Sequence, residues 1–415
     1  MDVDNNDKKT PKGWKKVKLG DVAEIVGGGT PKTNIKEYWN GEVPWITPRD
    51  LSGFEGKYIA RGERNISKLG LNNSSAKLLP KGTVLLSTRA PVGYLAIAKN
   101  EISTNQGFRS LIPNEKIENE FLYYLLKNNV EYLKSQATGT TFGELAGSTI
   151  KSLEFFIPPL PEQKAIASVL SSLDDKIDLL HRQNQTLEKM AETLFRQWFV
   201  EEADEEWEIG TLNDVLTVKG GTTPSTKNPD YWDGDIHWTS PRDITTMNSI
   251  YLFDTERKIT EAGLKKISSG LLPKGTLLMS SRAPVGVLAF AEIPIAINQG
   301  YIAILDNKGF SKEFLFLWLK TNMDYVQSYA NGSTFLEISK SAFKSLEIQI
   351  PPEKLRNEFQ EWVTPHFKKI KSNQTQIRTL NALRDTLLPK LMSGKLRVKR
   401  TDFEHIEKEN KYEKN

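Results

Sequence analysis

The sequence predicts two copies of a mixed α/β (α+β) globular domain, joined by two long antiparallel coiled-coil helices and related by a pseudo-two-fold axis. Three observations lead to this fold class. The chain repeats itself at an offset of 193 residues, each copy alternates short apolar runs with Gly/Pro turns, and each copy is followed by an amphipathic heptad stretch.

The repeat runs without a gap from Trp14 and Trp207 to Pro159 and Pro352, and 65 of its 146 paired positions are identical. A period this long exceeds that of solenoid repeats, so it indicates a duplicated domain. The predicted organisation is a polar leader, a first domain, a central helix, an acidic hinge, a second domain, a C-terminal helix and a charged tail: 1–13, 14–159, 160–200, 201–206, 207–352, 353–394 and 395–415.

Within the first copy, β-branched and apolar runs predict strands at 83–86 and 94–98. A helix is expected over 120–135, because Leu122, Leu125, Leu126, Val130 and Leu133 recur at helical spacing, and Gly139 follows its expected end.

The central stretch carries apolar residues at alternating steps of four and three, which is the pattern of a coiled-coil seam. About 38 residues at 1.5 Å each predict a rod of roughly 55 Å. Asn184 occupies a core position, where a polar residue fixes register at some cost in stability. The apolar seam positions are Leu170, Leu173, Ile177, Leu180, Leu187, Ala191, Leu194 and Trp198.

The second stretch is less regular, and its seam positions are Val363, Ile370, Ile377, Leu380, Leu387 and Leu391. Pro365 is expected to break or bend this helix and Pro389 to end it. The two rods are expected to bury their seams on each other as an antiparallel pair; the alternative is that each packs on its own domain.

Composition excludes several classes of protein. The 415 residues include no cysteine, which excludes disulfides, thiolate metal sites and cysteine nucleophiles. The four histidines are far apart in sequence, so no metal site is predicted. The polar N-terminus and the absence of any apolar run near 18 residues predict a soluble, cytoplasmic protein.

Charge differs between segments. Residues 14–157 hold 19 Lys and Arg against 14 Asp and Glu, whereas residues 207–350 hold 14 against 15. The stretch 158–206 holds 5 against 11, and 351–415 holds 15 against 9. Two similar domains at a fixed spacing suit a ligand with two separated sites, of which DNA half-sites are the familiar case.

Five motifs extend this interpretation. Each resembles a segment of the specificity subunits of type I restriction–modification systems: Leu19-Gly20-Asp21-Val22-Ala23, Gly28-Gly29-Thr30-Pro31, Tyr38-Trp39-Asn40-Gly41-Glu42-Val43-Pro44-Trp45, Ile157-Pro158-Pro159-Leu160-Pro161-Glu162-Gln163-Lys164 and Leu387-Leu388-Pro389-Lys390-Leu391-Met392-Ser393-Gly394. The resemblance covers about residues 14–396. One departure is Pro351-Pro352-Glu353-Lys354-Leu355, where the family's usual Pro-Glu-Gln-Lys is not kept.

The resemblance implies a mechanism. Each domain, as a target-recognition domain, would read one half of a bipartite, gapped DNA site. The helices would set the half-site spacing and dock two methyltransferase subunits, which methylate adenine N6 with S-adenosylmethionine. Restriction subunits that use ATP and Mg²⁺ would complete the complex. This chain would bind no cofactor and be non-catalytic by itself. The alternatives are a specificity subunit for a fused type II restriction–methyltransferase polypeptide and a coiled-coil scaffold that does not bind DNA.

Three sequence patterns similar to catalytic motifs compete with this interpretation, and each is disfavoured. Asn228-Pro229-Asp230-Tyr231 is similar to the Asn-Pro-Pro-Tyr motif of adenine methyltransferases but lacks its second proline. Asp230 with Glu256-Arg257-Lys258 fits a nuclease metal site only loosely. The segment 27–31 is rich in glycine, but no P-loop Lys-Ser/Thr follows it, so a turn is favoured over a nucleotide site.

Candidate DNA contacts fall into two groups. Side chains common to both copies are Arg49 and Arg242, Arg89 and Arg282, Asn105 and Asn298, and Gln106 and Gln299. Arginine serves phosphates and guanine edges, while Asn and Gln read adenine. The alternatives are an Arg49–Asp50 ion pair and buried turn amides. The second group belongs to the more basic first domain, where an ordinary solvated surface is the alternative: Lys32, Lys57, Arg61, Arg64 and Arg109.

Overall fold

The computed structural model describes residues 11–138, 143–332 and 336–398, so the predicted helix stop at Gly139 lies outside the described residues. Two compact units divide the chain. Unit 1 comprises positions up to 179 together with those from 378 onward, and unit 2 comprises 180–377. Each unit contains one globular head, which we call head 1 (14–159) and head 2 (207–352), and a part of each long helix.

Head 1 is built on short strands: β1 Lys15–Lys18, β2 Ala23–Gly27, β3 Trp39–Ile46, β4 Tyr58–Ile59, β5 Arg64–Ile66, β6 Val84–Thr88, β7 Val92–Ala98, β8 Ser103–Thr104, β9 Phe108–Pro113 and β10 Glu154–Ile157. They form a five-stranded sheet of order β2-β9-β6-β7-β4, a three-stranded sheet of order β5-β3-β8 and the antiparallel pair β1-β10. The two predicted strands are confirmed as β6 and β7.

The short helices of head 1 are α1 Leu19–Val22, α2 Lys68–Asn72, α3 Asn119–Asn128, α4 Val130–Ser135 and α5 Gly147–Ser152. The single helix predicted over 120–135 is therefore wrong, because the chain leaves helical geometry at Asn129 (φ −115°, ψ 20°). The Asn129 side chain donates to the Leu125 carbonyl at 2.7 Å and so satisfies an acceptor at the end of α3.

The helix α6 runs over Leu160–Arg196 and is followed by a π-helical turn, Gln197–Glu201. The predicted seam of α6 consists of two rows of residues, each at a spacing of seven. The first row is buried at Leu170, Ile177, Asn184 and Ala191. In the second row only Leu180 is buried, and three leucines are half-buried: Leu173, Leu187 and Leu194. Phe195, one residue beyond Leu194, is fully buried in its place.

The strands of head 2 are β11 Glu208–Thr211, β12 Thr217–Lys219, β13 Trp232–Thr239, β14 Tyr251–Leu252, β15 Arg257–Ile259, β16 Leu277–Ser280, β17 Leu288–Ala291, β18 Ala296–Ile297, β19 Tyr301–Asp306 and β20 Glu347–Ile350. They repeat the topology of head 1, with sheets of order β12-β19-β16-β17-β14 and β15-β13-β18 and the pair β11-β20. Its helices are α7 Leu212–Val215, α8 Pro241–Thr245, α9 Glu261–Leu264, α10 Lys312–Thr321, α11 Met323–Ser328 and α12 Lys340–Lys344.

The last helix, α13, is continuous over Glu353–Met392 and contains both prolines. Of the two effects predicted for Pro365, the break is therefore wrong, while the bend stays a prediction. Pro365 lies between Val363 and Phe367, which are both buried in the core of unit 2, and this packing compensates for the lost backbone hydrogen bond. Pro389 does not end the helix either. Of the predicted seam residues, Ile370 and Ile377 are buried, whereas Leu380 and Leu387 are half-buried.

In each unit, parts of α6 and α13 lie antiparallel, as predicted. In unit 1, Asp174 of α6 accepts from Arg384 of α13 at 2.8 Å, and Leu170 shares a core with Leu391. In unit 2, Asn184 of α6 accepts from Asn373 of α13 at 2.8 Å, both side chains being buried. The fold class is thus confirmed as two repeated mixed α/β heads with a long helix pair.

Candidate nucleic-acid interface

The loops that carry most of the predicted DNA-binding residues meet at one edge of head 1. Gly29 donates its N–H to the Thr104 carbonyl at 2.9 Å, and Asn105 donates to the Ile46 carbonyl at 2.9 Å. A Cβ on Gly28 would lie 2.1 Å from the Asn105 carbonyl oxygen, so only glycine fits this close approach. We call the joined segments the loop face of head 1: 27–31, 47–50, 61–64, 88–89, 105–109 and 144. The loop face of head 2 comprises the same segments 193 residues later.

Asp50 organises the loop face and leaves Arg49 exposed. The Asp50 carboxylate accepts from the Thr47 N–H at 2.7 Å, the Thr47 hydroxyl at 2.6 Å and the Glu63 N–H at 2.7 Å. These bonds cap the helical turn Pro48–Leu51 and tie it to the neighbouring loop. Among the described contacts no ion pair joins Arg49 to Asp50, so that alternative is wrong.

Head 2 repeats this arrangement. Asp243 accepts from the Ser240 N–H at 2.8 Å and the Glu256 N–H at 3.1 Å, and Arg242 is exposed. The loop geometry that presents Arg49 in head 1 therefore presents Arg242 in head 2.

Arg64 is exposed and stacked on a tryptophan pair. Its guanidinium lies 3.7 Å from the ring centroid of Trp39, which packs edge-to-face on Trp45. In head 2, Arg257 lies 3.5 Å from the ring centroid of Trp232 and is also exposed. Stacking orients each arginine while its polar edge stays free for hydrogen bonds. Arg257 was missed as a DNA-binding candidate, although its identity with Arg64 at the offset of 193 was the signal that would have found it.

The Asn-Gln turn has a structural role in both heads. Asn105 accepts from the Gly107 N–H at 2.9 Å, and Asn298 accepts from the Gly300 N–H at 2.8 Å, so the turn alternative holds for both asparagine oxygens. The adjacent glutamines are exposed, and each ties its turn to the glycine-rich loop. Gln106 accepts from the Thr30 hydroxyl, and Gln299 accepts from the Thr223 hydroxyl at 2.6 Å.

Two further arginines of head 1 share one carboxylate. Arg109 approaches Glu144 at 3.4 Å and Arg89 approaches it at 4.0 Å. In head 2, Arg282 approaches Glu337 at 3.6 Å. The side chains of Arg89 and Arg282 remain 37% and 35% exposed, so each is paired and still accessible to a ligand.

The structure corrects the predicted role of Lys57. This residue is only 6% exposed, and its Nζ lies 2.9 Å from Glu120 and 3.2 Å from Asp175 of α6. Its predicted DNA contact is wrong, and so is the alternative of a solvated surface, because the side chain is buried between the head and the helix. The remaining candidates of head 1, Lys32 and Arg61, are exposed, and their head 2 counterparts are Ser225 and Asp254.

The segment that is similar to a methyltransferase motif has a structural role. Asn228 caps a helical turn by accepting from the Asp230 N–H at 3.1 Å. Throughout the described part of the chain, no group of three or more His, Asp or Glu side chains is arranged to hold a metal ion. None of the described helices combines the length and apolar character needed to cross a bilayer.

Comparisons with known proteins agree on one family. A model described as the type I restriction modification DNA specificity domain matches twice, at residues 11–189 and 204–382. The chain is 37% identical to the type I restriction enzyme MjaIX specificity subunit of Methanocaldococcus jannaschii, over 94% of this chain and 95% of that protein. It is 26% identical to the HindI specificity subunit of Haemophilus influenzae, over 92% and 99%.

The fold has a counterpart among solved structures. The type I restriction–modification S subunit from M. genitalium superposes with a TM-score of 0.60 at 19% identity, covering 94% of this chain and 98% of that one. Since the family model matches both halves and a relative above 30% identity is covered almost completely, the chain belongs to the family of type I restriction–modification specificity subunits.

Proposed function

We propose that each head reads one half of a bipartite, gapped DNA site through its loop face. The observation that carries this proposal is the recurrence of one surface in both heads. Arg49 and Arg242 project from turns capped in the same way, and Arg64 and Arg257 stack on equivalent tryptophan pairs. Structural salt bridges alone would not require these arginines to be exposed twice at matching positions.

The chemistry of the loop face suits DNA. Arginine donates to phosphate oxygens and forms bidentate bonds with guanine. Side chains that differ between the heads would distinguish the half-sites, as at Lys32 and Ser225 or Arg61 and Asp254. The identity of 65 of 146 positions supports a further expectation, that the two half-site sequences are related.

The long helices would hold the two heads at a fixed spacing and dock two methyltransferase subunits. The support is the family membership together with the antiparallel pairing of α6 and α13 in each unit. Adenine methylation with S-adenosylmethionine, and restriction with ATP and Mg²⁺, would belong to those partner subunits. This chain would supply the DNA sequence specificity and the scaffold.

Methylation mapping tests the proposal. Deleting the gene for this chain in the source organism should abolish N6-methyladenine at one bipartite motif, detected by long-read sequencing. Complementation with the full chain should restore it. Arg49→Ala with Arg64→Ala should abolish methylation at that motif, while Lys81→Ala, an exposed change outside the loop face, should not. Loss of no motif on deletion would contradict the proposal, and two dissimilar half-sites would contradict the expected relation between them.

A further inference from the structure

A cation lies against the glycine-rich loop of head 1. In the ladder between β2 and β9, Gly27 is the register partner of Arg109. A Cβ on Gly27 would lie 3.5 Å from the Arg109 guanidinium, and a Cβ on Gly147 would lie 3.4 Å from its Nε. Arg109 therefore occupies the space between two glycines at the edge of the loop face.

Head 2 has a cation in the same place from a different position in the sequence. Ile302 replaces Arg109 and is buried, with 1% exposure. Lys340 replaces Gly147, and its Nζ lies 2.9 Å from where a Cβ on Gly220 would be. Gly220 is the counterpart of Gly27. Arg109 and Gly147 of head 1 thus correspond to Ile302 and Lys340 of head 2. A positive charge nevertheless lies beside the equivalent glycine, Gly27 or Gly220, in both heads.

The two cations differ in their partners but are both accessible. In head 1 the Arg109 guanidinium donates to the Phe108 carbonyl at 3.0 Å and to the Glu144 carboxylate at 3.4 Å, and its side chain stays 26% exposed. Arg89 lies 4.0 Å from the same carboxylate, so two cations face one carboxylate. In head 2, Glu337 pairs with Arg282 at 3.6 Å, and Lys340 is exposed and takes part in none of the described ion pairs. Each head therefore presents beside the glycine a cation that a ligand anion can reach.

We propose that this cation, Arg109 in head 1 and Lys340 in head 2, binds one backbone phosphate at the same place in each DNA half-site. The inference rests on the proposed function and adds a specific contact to it. A phosphate accepts equally from a guanidinium or an ammonium, whereas a guanine edge is matched best by the arginine fork. The exchange of arginine for lysine between the heads is therefore tolerated at a phosphate.

The test measures binding of the full chain to a fluorescein-labelled, random-sequence DNA duplex by fluorescence anisotropy over a series of NaCl concentrations. Arg109→Gln and Lys340→Gln should each weaken binding about tenfold, since each removes one charged hydrogen bond. Each should also reduce the slope of log K against log salt by about one. The matched controls are Lys151→Gln and Lys344→Gln, which occupy equivalent positions near the ends of α5 and α12 and should leave affinity and slope unchanged.

A swap between the heads makes the test independent of general destabilisation. Arg109→Ile alone should lose affinity and slope, and Arg109→Ile with Gly147→Lys should recover both by copying head 2 into head 1. Thermal unfolding by circular dichroism checks that each variant is folded. Wild-type affinity and slope in Arg109→Ile, or a folded double variant that recovers neither, would overturn the inference. A wild-type chain that binds no duplex at any salt concentration would contradict the proposed function itself, and this inference with it.

Discussion

The two units attach their heads to the helices with different chemistry. In unit 1 an apolar core that includes Leu170 is supplemented by a polar network, in which Glu120 of head 1 accepts from Lys57 at 2.9 Å, from Ser171 of α6 at 2.8 Å and from the Tyr58 hydroxyl. In unit 2 the corresponding region is rich in aromatic residues, which form two groups with ring centroids about 5 to 6 Å apart: Phe195, Phe199, Phe314 and Phe359, and Phe290, Phe316 and Phe367. Ion pairs lie beside them, between Lys320 of head 2 and Glu192 of α6 at 2.6 Å and between Lys371 of α13 and Glu292 at 2.7 Å.

Equivalent positions of the two units show this exchange of charged for apolar residues. Asp174 of unit 1 pairs with Arg384, and their counterparts in unit 2 are Phe367 and Ala191. The tyrosine hydroxyl is kept but changes its acceptor. Tyr58 donates to the Glu120 carboxylate, whereas Tyr251 donates to the Phe367 carbonyl at 3.0 Å.

The difference teaches that one topology can be held together by two kinds of force. Burying charged groups costs desolvation energy, which the network of unit 1 offsets only while its partners are all present. Aromatic packing depends on area and dispersion. Since both units also contain ion pairs between head and helix, the difference should appear when the aromatic groups of unit 2 or the network of Glu120 and Asp174 in unit 1 are changed.

The largest effect is expected from Phe359→Ala in unit 2. Phe359 is fully buried and packs on Phe199 at 5.0 Å and Phe195 at 5.8 Å between ring centroids. The cavity left behind should lower the free energy of unfolding by about 3–5 kcal/mol. Hydrogen exchange followed by mass spectrometry should locate the loss in unit 2. Phe156→Ala, at a 43% exposed position of unit 1, is the control and should change little; comparable losses from both variants would contradict the aromatic cluster as the main attachment of head 2.

A somewhat smaller effect is expected from breaking the ion pair of unit 1. Asp174→Asn leaves the Arg384 guanidinium, whose side chain is 16% exposed, with only the more exposed Asp385 as a charged partner, and should cost about 2 kcal/mol. The variant Asp174→Phe with Arg384→Ala and Tyr124→Leu copies the residues of unit 2 and should recover most of that loss. Urea unfolding measures both. A triple variant no more stable than Asp174→Asn would show that the two attachments are not interchangeable.

Much of this fold was predictable because it depends on local periodicity and on the repeat. The heptad spacing identified both helices, and the offset of 193 identified both heads. The capping pattern that presents Arg49 is likewise local, since Thr47 and Asp50 are three residues apart. The break expected at Pro365 does not occur, because the packing that overrides the intrinsic preference of proline comes from distant parts of unit 2.

The site was less predictable where partners are distant in sequence. Lys57 looked like one of several surface cations, and only the folded chain brings it to Glu120, 63 residues away. The exchange of Arg109 for Lys340 was equally hidden. Alignment pairs Arg109 with Ile302 and suggests that the charge is lost, while the strand ladder and the start of α12 restore it in space.

A moderate, pH-dependent effect is expected from Glu120→Gln. Burial alone would raise the pKa of Glu120, but hydrogen bonds from Tyr58 and Lys57 outweigh it and hold the pKa below the usual value. A carboxyl with a lowered folded-state pKa stabilises fully above its unfolded pKa of about 4.3, and that contribution is lost as the pH falls through the folded value. Glu120→Gln should cost unit 1 about 1 kcal/mol at neutral pH and flatten its loss of stability below about pH 4.

Urea unfolding at neutral and acidic pH checks this expectation. Glu313→Gln, the equivalent change in unit 2, is the matched control, because Glu313 accepts only a long bond of 3.3 Å from Gln360 among the described hydrogen bonds. An acid sensitivity that survives in Glu120→Gln would place its origin elsewhere.

The smallest effect should be equal in the two units, and this equality sharpens the comparison. Arg64 and Arg257 stack on Trp39 and Trp232 at 3.7 Å and 3.5 Å from the ring centroids, in surroundings that the repeat keeps alike. Replacing either arginine with Met keeps most of the apolar stem and removes the cation, so each should cost about 0.5–1 kcal/mol. Hydrogen exchange in β5 and β15 measures the two losses. Because the two contacts are the same, the two arginine substitutions should cost equal stability. A marked difference between them would mean that the unequal effects at Phe359 and Asp174 cannot be assigned to the way each head is attached to the helices.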